Sequence, residues 1–135
     1  MQRLIIISVI LMALSAAGHL GAQTADKSQA ATRRAAQDYI KHGLILATEG
    51  RPDAAVKSFE EAIKLDPQSA EAHSLLGSAL AKAGNYRRAE EELRKAVELD
   101  PGYGEGYYYL GIFLEERGRK QEAEEAFRRA RQCAR

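Results

Sequence analysis

Hydrophobic and polar residues divide the chain into three stretches of different texture. Leu4 to Ala17 is a run of apolar and weakly polar residues, and Gln23 to Arg34 is polar with no apolar period. From about Ala36 onward, apolar residues recur at helical spacing, and no run of alternating β-branched residues suggests a strand. Breaks fall at Gly50-Arg51-Pro52, Asp66-Pro67, Gly84-Asn85, Asp100-Pro101-Gly102 and Gly118-Arg119. Glycine just past a helix end accepts the left-handed conformation, and proline cannot continue a helix. These five breaks predict six helices of roughly 13 to 16 residues, the length of helical-hairpin arrays.

The pattern also repeats. Leu65-Asp66-Pro67 returns as Leu99-Asp100-Pro101, 34 residues later, together with its neighbours. On this period Gly43, Gly77 and Gly111 coincide, as do Leu46, Leu80 and Leu114 on the same helices. On the second helices Ala55, Ala89 and Ala123 coincide, then Phe59, Leu93 and Phe127, then Ala62, Ala96 and Ala130. A glycine inside a helix costs ~1 kcal/mol relative to alanine, so three in register need a packing reason. The expected reason is close approach of the partner helix at the three matching alanines. All of these positions read as core.

Tyr107-x-x-Leu110-Gly111-x-x-Leu114 followed by Ala123-x-x-x-Phe127-x-x-Ala130 resembles the tetratricopeptide repeat. Leu76-Gly77, Leu80, Ala89, Leu93, Ala96 and Pro101 carry the second copy, and Tyr39, Gly43, Leu46, Ala55, Phe59, Ala62 and Pro67 the first. His42 and His73 depart from the pattern, at a leucine and at the large aromatic position respectively, and leucine replaces the later tyrosine throughout. The resemblance implies an all-α fold, a right-handed superhelix of three antiparallel helix-turn-helix hairpins. The expected organisation is a signal peptide over 1–22, a polar, flexible lead-in over 23–35 whose last few residues join the first helix, and repeats over 36–69, 70–103 and 104–135.

The same resemblance implies a concave groove, lined by the first helices, that binds a partner peptide or helix. Helical spacing leaves Gln37, Ile40, Lys41, Leu44 and Thr48 free on the first such helix, and Glu71, Ser74, Ser78 and Lys82 on the second. On the third it leaves Glu105, Tyr108, Ile112, Glu115 and Glu116. Ile40, Leu44, Tyr108 and Ile112 are apolar residues expected on a surface, as in a recognition patch; contact with the lead-in or a neighbouring repeat is the competing reading. Some relatives grip a terminal carboxylate with Lys, Arg and Asn, and only Lys41 and Lys82 are near enough here. The groove is mildly acidic toward the third repeat, so the expected ligand carries apolar anchors flanked by basic residues. In the third unit Arg131 and Cys133 replace the apolar residues at Val97 and Leu99, and Glu124, Glu125, Arg128, Arg129 and Arg135 add charge. The final helix is therefore expected to double as a cap that stops the array at three units.

Charge and chemistry narrow the reading further. Lys plus Arg (20) against Asp plus Glu (19) leaves no basic excess, which argues against nucleic acid. Met1-Gln2-Arg3, the apolar run and the small residues Ala16, Ala17, Gly18, Gly21 and Ala22 have the layout of a secretory signal. Export to the periplasm or exterior of a bacterium follows, with an inner-membrane anchor over residues 4–20 as the alternative. Cys133 is the only cysteine, so no internal disulfide forms. A monomer is expected, with a Cys133-linked dimer or a self-associating envelope subunit as rival readings. No His or Cys pair has metal-ligand spacing, and the histidines read as satisfied packing residues. Gly102-x-Gly104-x-Gly106 reads as a linker, not a phosphate loop. Glu90-Glu91-Glu92 reads as a solvated face beside Arg94 and Lys95. No catalytic constellation and no cofactor are expected.

Overall fold

The protein is described by a computed structural model covering residues 2–134, with side chains for 25–134. Six α-helices form among the described residues: α1 (Gln2–Thr48), α2 (Pro52–Leu65), α3 (Ala70–Lys82), α4 (Tyr86–Leu99), α5 (Gly104–Glu116) and α6 (Lys120–Cys133). The chain divides into two compact units, Met1–Arg34 and Ala35–Arg135. In the first unit residues 25–34 are helical and exposed, with the Ser28 and Thr32 hydroxyls donating to carbonyls of their own helix. The lead-in expected to be flexible is thus helical from its described start. It holds no proline or glycine after Gly21, and helix formation needs no apolar face where no breaker intervenes. The signal-like run lies outside the residues whose side chains are described. Among the described residues, no helix is long and apolar enough to cross a membrane.

In the second unit the breaks fall where the sequence places them. Gly50, Gly84 and Gly118 have φ of 72°, 85° and 76°, a region in which a side chain would clash with its own backbone. After each, the next residue's N–H reaches back to the last turn: Arg51 to Leu46 O, Asn85 to Leu80 O and Arg119 to Leu114 O at 3.0, 2.9 and 2.8 Å. Three like closures turn each first helix into its second. Between units the Asp-Pro turns recur as well. Asp66 Oδ1 accepts the Gln68 N–H at 3.3 Å and Asp100 Oδ1 the Gly102 N–H at 2.9 Å, each holding the chain while proline bars further helix. Ser69 then caps α3 by accepting the Ala72 N–H, and Asn85 caps α4 by accepting the Arg88 N–H.

One core runs through the three hairpins. Leu46, Leu80 and Leu114 are buried with Ala55, Ala89 and Ala123, and Phe59, Leu93, Ala62 and Ala96 complete the interior. The register glycines serve a different contact from the one expected. A Cβ built on Gly43 would lie 2.5 Å from the Phe59 ring, on Gly77 2.6 Å from Leu93, and on Gly111 2.5 Å from the Phe127 ring. The glycine makes room first for the bulky plug of its own hairpin, and at Gly77 the matched alanine lies close as well, with Ala89 O at 3.0 Å. Gly104 and Gly106, expected in a linker, form the first turn of α5. Gly106 is buried, and a Cβ there would lie 3.4 Å from Val97.

Across the outer side, charged residues tie the second helices together. Arg88 donates to Glu60 Oε1 at 2.8 Å, and Arg119 donates to both Glu90 carboxylate oxygens at 2.8 Å. Arg94 bridges Glu90 and Glu122 at 2.8 and 3.3 Å. Glu90 and Glu92, expected on a solvated face, are thus half-buried and engaged in ties between helices, while Glu91 stays exposed. Partial burial pushes the Glu90 carboxyl up, but the Arg119 and Arg94 guanidiniums outweigh it and hold it below the ordinary carboxylate range.

Candidate functional site

The expected ligand-facing side chains fall into three places. Leu44, Ser78 and Lys82 line a hollow of about 200 Å³ with Thr48, Leu75, Ala79 and Tyr109. This hollow spans α1, α3 and α5 and is the centre of the candidate groove. Polar members sit around it. Gln37 Nε2 donates to Glu71 Oε2 at 3.2 Å, the Tyr103 hydroxyl donates to Glu105 Oε2 at 3.1 Å, and Lys41 lies exposed 4.0 Å from Asp38. Ile112 is half-buried, while Glu115 and Glu116 are exposed at the end of α5.

Ile40 and Ser74 do not belong to the groove. Ile40 is 2% exposed and Ser74 0%, and the Ser74 hydroxyl donates to Glu71 O at 2.9 Å within its own helix. Both share a register with Tyr108, which is 52% exposed. That register faces the following hairpin, so it is buried wherever a hairpin follows. Tyr108 instead packs 5.8 Å from Phe127, ring centre to ring centre. It lines a hollow of about 690 Å³ with Gly104, Glu105, Phe127, Ala130 and Cys133. This hollow is therefore at the end of the array, outside the groove. The cap expected of α6 is partial: Glu124, Arg128 and Arg131 are exposed, yet Tyr108, Phe127 and Ala130 leave apolar surface beside them.

Leu75 and Tyr109 were not singled out by helical spacing, although they floor the groove. Their register-mate in the first hairpin is Lys41, itself expected in the groove, so the 34-residue period carries that assignment to both. Electrostatics around them agree with an acidic groove. Burial, and then the Glu105 carboxylate with Tyr108 and Glu71, raises the Tyr109 phenol above its ordinary value. Burial likewise pushes Tyr103 up to about 12, with Glu105 adding to it and the neighbouring Ser74 hydroxyl opposing.

Of the two histidines of the hairpins, His73 is a packing residue and His42 is not. His73 is buried, with Nδ1 2.7 Å from Glu92 Oε2 and Nε2 3.0 Å from Pro67 O, tying α3 to α4 and to the preceding turn. His42 is exposed, not half-buried, and its Nδ1 lies 3.1 Å from Ser58 Oγ, which donates to Tyr39 O. Among the described residues, no group of three or more His, Cys, Asp or Glu is placed to hold a metal ion.

Comparison with known proteins agrees with this architecture. A family profile for the tetratricopeptide repeat matches residues 40–104 and 75–135, so the two matches overlap and together run to the end of the chain. No curated protein sequence matches. Among solved structures, pilF of Pseudomonas aeruginosa is 30% identical with a TM-score of 0.71, over 74% of this chain and 45% of that one. MamA is 25% identical with a TM-score of 0.64, over 76% of this chain and 60% of its own. The second TPR of Spaghetti (RPAP3), solved with an HSP90 peptide, is 22% identical with a TM-score of 0.68, over 77% and 95%. The chain thus spans about half of pilF and three fifths of MamA. Repeat spacing, hairpin closures, the glycine-plug contact and the profile match converge, and the chain belongs to the tetratricopeptide repeat family.

Proposed function

We propose that this protein is an exported protein-protein interaction module that holds a peptide or partner helix in the groove of α1, α3 and α5 and performs no chemistry on it. The observation that carries this reading is the apolar hollow at Leu44, Leu75, Ala79 and Tyr109, continuous across three hairpins, with Glu71 and Glu105 near Tyr109. Apolar floor with polar rim is the anatomy of a recognition surface. The neighbour solved with an HSP90 peptide supports peptide binding as a use of this fold. Acidic flanks favour a ligand whose apolar anchors are bordered by Lys or Arg.

An immobilised array of short peptides, each an apolar pair bordered by basic, neutral or acidic residues, tests the proposal. Basic-bordered peptides bind best, and Leu44→Ala with Tyr109→Ala weakens them by roughly tenfold or more. A preference for acid-bordered peptides, or binding unchanged in the double variant, rejects the groove. The layout of residues 1–22 supports export, with membrane anchoring as the alternative. N-terminal sequencing of protein from a bacterial envelope fraction distinguishes them: a new terminus near Gln23 fits a cleaved signal, and retained Met1 fits an anchor.

A further inference from the structure

The end face around Tyr108 lies outside the groove and suits neither water nor a fourth hairpin. In the earlier hairpins its registers are closed: Ile40 and Ser74 are 2% and 0% exposed, and Phe59 and Leu93 1% and 0%. Here Tyr108 is 52% exposed and Phe127 half-buried, so an aromatic pair borders the hollow of about 690 Å³. The register in which Val97 packs against Gly106 holds Arg131 in this hairpin. A hairpin docked as α5 is docked would set a small residue over Arg131 and strip its water without supplying a carboxylate. The occupant that fits is an apolar surface with a carboxylate opposite Arg131, and the face carries such a carboxylate itself. Glu105 lines the hollow from α5 and Arg131 from α6. Arg128 and Arg129 both pair with Glu125, whereas Arg131 has no carboxylate partner among the described residues. Glu105 accepts the Tyr103 hydroxyl at 3.1 Å and, among the described residues, pairs with no cation.

We infer that two copies pair through this face, about a two-fold axis running along the seam between α5 and α6. Residues from the two helices meet across that seam. A Cβ built on Gly104 would lie 3.1 Å from Cys133 Cβ, and one turn inward the Tyr108 and Phe127 rings are 5.8 Å apart. Rotation about the seam lays α5 of one copy over α6 of the other, antiparallel to it. Glu105 then meets Arg131 and Tyr108 meets Phe127, each contact made twice, so the face is its own complement in charge and in apolar surface. Such a contact closes as a pair and uses none of the groove floor at Leu44, Leu75, Ala79 and Tyr109. Cys133, half-buried with its thiol donating to Pro101 O at 3.6 Å, stands at the seam, so the two copies of it come close to the axis. It reports the contact and does not cause it.

Cells expressing the full-length chain, treated with a short bismaleimide that joins two thiols, test the pairing on a denaturing gel. Cys133 gives a covalent homodimer as the main product. A chain with Cys133→Ser and Lys57→Cys, which moves the thiol to an exposed site on α2, gives none above background. Arg131→Glu lowers the Cys133 product on the order of tenfold, and Glu105→Arg does the same, because either change alone sets like charges together across the axis. Combining the two restores the yield, since the exchanged charges again attract. Both side chains are exposed in the single chain, and far-UV circular dichroism equal to the parent's shows that each variant stays folded. A Cys133 yield no higher than that of the Lys57→Cys control overturns the inference. So does crosslinking mainly to other proteins, a yield that both single reversals leave unchanged, or a double reversal that restores nothing.

Discussion

The second and third hairpins use like residues in like registers, yet their environments differ. Leu93 is fully buried, while Phe127 in the same register is half-buried, and Ala96 and Ala130 differ in the same way. Ser74 is enclosed, and Tyr108 faces an open hollow. The second hairpin has a neighbour on both sides and the third on one. Burial in such an array is therefore a property of the junction, not of the residue, and stability is close to a sum over hairpins and their contacts.

The largest break in this comparison comes from the plugs. Leu93→Ala removes a closed-in side chain and leaves a cavity that its neighbours cannot fill, costing about 3–4 kcal/mol. Phe127→Ala removes a larger side chain but costs only about 2 kcal/mol, because part of its ring already meets water. Urea unfolding followed by far-UV circular dichroism reads both. Equal losses would mean that the end hollow is covered in solution.

The register glycines sharpen the same contrast. Gly77→Ala drives a methyl toward Leu93 and the Ala89 carbonyl, a backbone atom that cannot swing aside. Overpacking of about 2–3 kcal/mol outweighs the ~1 kcal/mol gained in helix propensity, for a net loss of about 1–2 kcal/mol. Gly111→Ala meets first the Phe127 ring, which borders the open hollow and has room to turn. There the two terms nearly cancel, leaving a change within about 0.5 kcal/mol. The same unfolding measurement on both variants decides it, and a loss at Gly111 as large as at Gly77 would show a rigid ring. Next in size is the cap: Ser69→Ala frees the Ala72 N–H and costs about 1 kcal/mol.

Period, breaks and core were legible because each is a local or repeated pattern. Gly50, Gly84 and Gly118 announce the turns by chemistry alone, and Asp66 and Asp100 hold the intervening ones with their own carboxylates. The groove was only half legible. Helical spacing separates residues facing the partner helix from the rest, but not those facing the next hairpin from those facing a ligand. Ile40 and Ser74 were assigned to the groove for that reason, whereas the register of Lys41, which was assigned there, also points to Leu75 and Tyr109. The glycine contact was misjudged because coincident alanines suggest close backbones, whereas the plug beside them needs the space more. Residues 25–34 lack an apolar stripe, and a stripe reports packing, not helix formation.

Charge gives the smallest effect. Glu90 holds Arg119 of the next hairpin and Arg94 of its own helix, and its carboxyl is depressed in the folded chain despite partial burial. A carboxyl depressed on folding adds stability that is complete above its unfolded value and is lost as pH falls through the folded one. Glu90→Gln should therefore lower stability by less than about 1 kcal/mol at neutral pH, since the pair is partly solvated. The deficit should shrink as pH falls below the ordinary carboxylate range, so that variant and parent converge in acid. Glu124→Gln changes the same register at the end face, where no hairpin of the same chain supplies an arginine equivalent to Arg119. In a single copy Glu124→Gln should therefore leave stability at neutral pH unchanged. If the Glu124 variant matches the Glu90 variant in dilute solution, the last hairpin already has a partner, and the contrast between inner and end junctions disappears.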